Sequence, residues 1–196
     1  MVKILILINS LFLTQITFAQ QKEFVQFNKE RDKISRAGLK VLIAYSAANI
    51  IYSTIASTNK ITESDKYFHQ MNVIWNGVTL GLIGIGLVTS KQEGPSTFAS
   101  SIKKQANIEQ LFLFNAGLDL AYFAGGAYLR ERGFNSTINA SRLQGYGSSI
   151  MLQGAVLFFF DGIMYGIHKF HGKALNNMAE NIQLTTANGI GIALQF

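Results

Sequence analysis

Cysteine is absent from the 196 residues, which excludes disulfides, thiolate catalysis and cysteine-ligated zinc or iron–sulfur centres. Proline occurs once, at Pro95, between two apolar runs. Charge is scarce: Asp, Glu, Lys and Arg make up 14% of the chain, against about 25% in soluble domains. No Gly-x-Ser-x-Gly elbow occurs, and no lysine follows the glycine-rich stretches in a strand-to-helix context, so neither an activated serine nor a phosphate loop is expected. These absences point away from an enzyme and away from any cofactor.

What the chain does have is apolar residues, 48% of the total, and a formal charge of +6. The lysines and arginines lie mostly in short stretches flanking apolar runs, not in a stripe interleaved with aromatics. Anionic lipid headgroups therefore fit as counter-charge better than nucleic acid does. The length suits one domain.

The N-terminus reads as a signal peptide over residues 1–19. Met1 to Lys3 form a positive n-region, residues 4–13 an apolar h-region, and Thr17-Phe18-Ala19 a cleavage site. The alternative is an uncleaved fifth helix, although the apolar stretch is short beside the roughly 20 residues of a span. Residues 20–36, with Phe24, Phe27 and Ile34 at helical spacing among charges, read as an amphipathic lead-in at a membrane interface.

Four apolar runs of near span length follow, over residues 37–57, 68–90, 108–129 and 148–167. Short polar links join them, which favours antiparallel neighbours. The expected fold is all-α: a membrane-embedded up-down-up-down four-helix bundle over residues 20–175. Gly77 and Gly81 at i, i+4 and the pair Gly125-Gly126 are expected to let helices approach closely. In the tail, residues 176–196, apolar residues alternate around Asn188-Gly189, a β-hairpin signal. The closing Phe196 resembles the last strand of outer-membrane barrels, but barrels lack spans this long and continuously apolar.

An offset of 77 residues aligns Ala44-Tyr45-Ser46-Ala47 with Ala121-Tyr122-Phe123-Ala124, and Asn76-Gly77 with Gln153-Gly154. A duplicated helical hairpin or chance agreement would each produce that pattern. Orientation carries a conflict. A cleaved signal peptide puts both termini in the periplasm, whereas the lysine and arginine count over the links prefers the reverse. The signal peptide, with its three parts in order, decides the expectation: a bacterial inner-membrane protein with periplasmic termini.

Asp119 and Asp161 are the costly residues, since a carboxylate at mid-span costs about 2.5 to 3.5 kcal/mol on insertion scales. Counting along antiparallel spans puts both at similar depth. Asn49, Asn76, Asn115 and Gln153 complete a candidate intramembrane polar layer. No Lys or Arg lies mid-span to neutralise the two carboxyls, so they are expected to be protonated or to share a proton. They serve either as hydrogen-bonding glue or as a proton or cation site. His69 and His168 stand at opposite ends of the spans, and His168 with His171 makes a poor metal site without a nearby carboxylate, so no metal is expected.

The stretches from Phe68 to Asn76, Asn115-Ala116-Gly117-Leu118-Asp119 with Gly125-Gly126, and Leu152-Gln153-Gly154 with Phe160-Asp161 resemble an uncharacterised family of four-helix bacterial membrane proteins, a domain of unknown function. The resemblance covers residues 27–173 and implies architecture, not a reaction. The leading expectation is a structural or partner-binding component of the cell envelope, contacting the bilayer and another membrane protein or itself. The alternative is a small proton- or cation-coupled carrier using Asp119 and Asp161.

Overall fold

The computed structural model describes the backbone of residues 2–59, 61–89, 97–180, 182–186 and 190–194, and the side chains of residues 22–59, 61–88, 97 and 99–175. The protein is all-α, built from four long helices: α1 (Val2–Ala56), α2 (Glu63–Thr89), α3 (Phe98–Phe134) and α4 (Ala140–Glu180). Strands β1 (Ile182–Thr186) and β2 (Ile190–Leu194) follow and pair antiparallel. The Asn188-Gly189 turn of the expected hairpin lies outside the described residues. The expected cleavage after Ala19 falls inside α1, among residues whose side chains are not described.

Local chemistry fixes where helices begin. The Thr62 hydroxyl accepts from the Asp65 amide at 3.1 Å and donates to the Asp65 carboxylate at 2.7 Å, an N-cap that satisfies an orphan amide of α2. Glu63 and Asp65 add negative charge to that first turn, where the helix dipole favours it. Thr97 and Ser100 cap α3 reciprocally, each hydroxyl accepting from the other's amide. Before α4, Asn139 takes a left-handed backbone, φ 58°, a conformation that Asn tolerates better than most residues.

Three helical stretches, Lys22–Ala56, Glu63–Val88 and Ala140–Leu175, are long and apolar enough to cross a membrane. The expected third span, residues 108–129, lies in α3, which is not among them. Glu109, Gln110, Asn115 and Asp119 interrupt its apolar run.

The chain forms two compact units. One comprises Met1–Ile34, Gln92–Glu109 and Ile167–Phe196, the other Ser35–Lys91 and Gln110–Gly166. The first has a small apolar core of Phe24, Phe27 and Leu175. Phe27 stacks on the His171 ring at 4.1 Å, and the His171 ring nitrogen lies 3.1 Å from the Phe27 carbonyl. Phe24 and Phe27 of the expected lead-in thus pack against Leu175 and His171 of α4. Around that core, Arg31 is 2% exposed and donates to Asn28 at 2.7 Å and to Asp32 at 2.9 Å. Asn28 in turn donates to Ser101 at 2.9 Å. Gln105 reaches the His168 carbonyl at 2.6 Å, and Lys169 pairs with Glu109 at 3.2 Å.

The second unit has its polarity reversed relative to a soluble domain. Asn72, Asn76 and Gln153 are each 1% exposed, whereas Leu82, Ile85 and Phe159 expose 65%, 62% and 67% of their surface. Its helices meet through glycine. A Cβ on Gly126 or Gly147 would fall within 3 Å of backbone on the facing helix, and one on Gly154 would fall as close to the Asp119 carbonyl. Such contacts run in opposite order along α3 and α4, so these two helices are antiparallel. On the facing side of α4, Gly145 packs as tightly against Ser64 and Phe68 at the start of α2. Gly77, Gly81 and Gly125 meet nothing within 4 Å, which corrects the expectation that they bring helices together. The packed face of α2 carries His69, Asn72 and Asn76 instead, and Gly77 points away from it.

Replacing Gly147 by Leu should therefore cost about 3 kcal/mol or more, since a side chain there has only backbone to displace. Gly81→Leu should stay within about 0.5 kcal/mol of the parent. Equilibrium unfolding of the two variants in detergent micelles checks the contrast.

Candidate functional site

The polar side chains of the second unit gather in two places. The first is a hydrogen-bond network centred on Asn72. Its Oδ1 accepts from the Ser149 hydroxyl at 2.8 Å and from Gln153 Nε2 at 2.8 Å, and Gln153 Oε1 accepts from the Tyr45 hydroxyl at 3.1 Å. Three helices are joined: Tyr45 comes from α1, Asn72 from α2, and Ser149 and Gln153, one turn apart, from α4. Asn72, Ser149 and Gln153 are each at most 1% exposed, so each hydrogen bond replaces contacts with water that are unavailable there. A buried polar group left without a partner costs about 1 to 3 kcal/mol, which makes the network stabilising mainly through what its loss would expose.

The second place lies eight residues further along α4, about 12 Å at 1.5 Å per residue. There the carboxyl groups of Asp119 and Asp161 stand within hydrogen-bonding reach of each other. A hydrogen bond between two carboxyl groups requires a shared proton. The side chains are 4% and 6% exposed, and Asp119 Oδ2 is buried without a hydrogen-bond partner among the described residues.

These two carboxyls line a cavity of about 540 Å³. α2 supplies one wall with Trp75, Val78 and Leu82, and α3 the other with Asn115, Leu118 and Tyr122. Leu157 and Phe160 of α4 and Leu42 of α1 complete it. Val78 is 58% exposed and Leu118 39%, so the cavity opens on the side of the unit between α2 and α3. The Trp75 and Tyr122 rings bridge the two walls edge to face, with centroids 4.9 Å apart and planes at 86°. The volume falls in the range of small-molecule sites, and the mostly apolar lining with a few convergent polar groups is their usual make-up.

The six residues of the expected polar layer thus divide. Asp119, Asp161 and Asn115 share the cavity, and Gln153 belongs to the Asn72 network. Asn76 joins neither and donates to the Asn72 carbonyl of its own helix at 2.8 Å, while Asn49 donates to the Tyr45 carbonyl at 3.2 Å and stands within hydrogen-bonding reach of the Tyr45 side chain, at the edge of the network. Sequence reasoning missed Asn72, Ser149 and Tyr45 as network members. The available signal was spacing, since Asn72 precedes Asn76, and Ser149 precedes Gln153, by four residues on a helix.

His69 makes edge-to-face contacts with Tyr52 and Phe68, at 5.7 and 5.3 Å. Among the described residues no three His, Asp or Glu side chains come together as metal ligands. Asn115, Thr79 and Tyr122 of the lining can exchange hydrogen bonds with a molecule in the cavity, and among the described residues of the lining only the carboxyl pair can neutralise a positive charge on it.

The network and the layer make different claims on stability. Asn72→Leu strands two buried donors and should cost about 2 to 4 kcal/mol, whereas Asn49→Leu, at the half-buried edge of the network, should cost no more than about 1 kcal/mol. Unfolding curves in micelles distinguish the two.

No curated protein and no solved structure matches the chain. The model of a family of unknown function, DUF6992, matches residues 41–162. That match takes in Tyr45, Asn72, Asp119, Ser149, Gln153 and Asp161, lies inside the stretch that resembled an uncharacterised family, and brings no assigned activity. The chain belongs to the DUF6992 family of unknown function.

Proposed function

We propose that the chain is a non-catalytic component of a bacterial envelope membrane, and that its second unit is a binding module for a molecule that enters from the bilayer. In this reading the signal peptide is removed, the protein resides in the inner membrane, and both termini face the periplasm. Three apolar helices and the reversed polarity of the second unit support membrane residence, because exposed apolar surface on this scale is costly in water and neutral in hydrocarbon.

The observation that carries the binding assignment is the cavity between α2 and α3. A bundle that only needed hydrogen-bonding glue has it in the Asn72 network, whose Asn72, Ser149 and Gln153 side chains are buried and bonded to one another. Asp119 and Asp161 are different: they stand at the wall of a side-opening space, and one carboxyl oxygen has no hydrogen-bond partner among the described residues. Carboxyls at mid-bundle are expensive to keep, and binding gives them a role that structure alone does not. The ion-carrier alternative gains no support from the family or from the described helices.

Native mass spectrometry of the protein released from native-lipid nanodiscs tests the reading. The parent chain should retain a discrete small-molecule adduct, and Val78→Phe, which fills the cavity mouth, should lose most of it. Identical spectra for parent and variant would contradict a binding role.

A further inference from the structure

The cavity that opens between α2 and α3 is polarised. Its far wall holds the Asp119–Asp161 carboxyl pair, and its mouth is formed by exposed apolar side chains such as Val78 and Leu82. Among the described residues no Lys, Arg or His lines it, so none of them can neutralise an acidic headgroup there. Asp119 Oδ2, buried and without a hydrogen-bond partner, belongs to a residue lining this space. Beside the carboxyls stand Trp75 and Tyr122, held edge to face, and aromatic faces attract cations at close range.

We propose that this cavity binds a lipophilic amine: a single-chain amphiphile whose ammonium sits at the Asp119–Asp161 pair and whose hydrocarbon tail leaves between α2 and α3. The proposal deepens the binding role given above and rests on it. An ammonium brings hydrogen-bond donors and a positive charge to a carboxyl pair that has no basic neighbour among the described residues of the lining. A fatty acid would bring a third carboxyl to the pair, and a fatty alcohol would donate one hydrogen bond without compensating charge. Discrimination therefore runs against the acid through repulsion as well as toward the amine through attraction. The +6 formal charge of the chain would by itself draw the acid, so a preference for the amine cannot arise from net charge.

Trp75 is the one tryptophan of the chain and lines the cavity, which makes its fluorescence a local reporter. The full chain in phosphatidylcholine nanodiscs is titrated with ω-bromoundecylamine, ω-bromoundecanol and ω-bromoundecanoic acid, each plotted against its mole fraction in the bilayer. Saturable quenching by the amine should occur at mole fractions at least about tenfold below those for the alcohol and the acid, a difference of about 1.4 kcal/mol. Asp119→Asn with Asp161→Asn should abolish the amine preference while keeping the weaker quenching by the alcohol. Leu82→Phe, which leaves the carboxyls in place, should weaken quenching by the amine. Equal saturable quenching by all three probes in the parent protein overturns the amine assignment but leaves a binding groove. Preserved amine preference in the double Asn variant overturns it as well. Absence of saturable quenching by any probe overturns both the assignment and the binding role.

Discussion

The interaction on which the second unit depends is the buried network at Asn72, which gives Asn72, Ser149, Gln153 and Tyr45 partners inside the bundle, whereas Ser46 Oγ, Ser53 Oγ, His69 Nδ1 and Asp119 Oδ2 are buried with none among the described residues. The unit's outer faces carry Leu82, Ile85 and Phe159, which contribute no donor or acceptor, and its interior carries Asn72, Asn76, Ser149, Gln153 and two carboxyls. In hydrocarbon there is no water to take up an unpartnered group, so helices that bury such residues are held in the one register that pairs them. Asn72 meets this requirement most completely, with two donors on a single carbonyl oxygen. The glycines of α4 are the other half of the same solution. Gly145, Gly147 and Gly154 let backbones come close on two sides of that helix, and short polar side chains can reach across only where the backbones are near.

α4 is therefore the organising helix of the second unit. It carries the residues that bond to α1 and α2, the glycines that meet α3, and Asp161, which meets Asp119. α2 and α3, by contrast, touch through Trp75 and Tyr122, and the cavity lies beside that contact. The position of the cavity follows from this unequal packing: glycine draws α3 and α2 onto α4 and leaves them apart from each other. The first unit is organised differently, around three apolar side chains and a buried guanidinium held by Asn28 and Asp32.

Much of this was legible in the residues. Apolar runs located α1, α2 and α4, because length and composition suffice for a span. The depth of Asp119 and Asp161 could be counted from the span ends, and the structure brings these two carboxyls together. Depth does not fix direction around a helix, however, and that is where Asn49 and Asn76 departed from the expected layer. Each sits at mid-span yet bonds to its own backbone. Gly77 and Gly81 misled for a related reason: a small-residue pair shows that close approach is sterically allowed, and the partner helix must still lie on that side. α3 fell short of the apolarity of a span because Glu109, Gln110, Asn115 and Asp119 are concentrated in one stretch. Nothing in the spacing alone revealed a cavity, which arises from how four helices pack and not from any one of them.

The central claim is that the second unit turns its apolar side chains toward hydrocarbon and its polar ones inward. Single spin labels introduced through cysteine at Leu82, Ile85 and Phe159 in this cysteine-free chain, reconstituted in bilayers, measure it directly through collision with oxygen and with a water-soluble nickel chelate. High oxygen and low nickel accessibility are expected at all three positions. High nickel accessibility there would place those faces in water and contradict the claim.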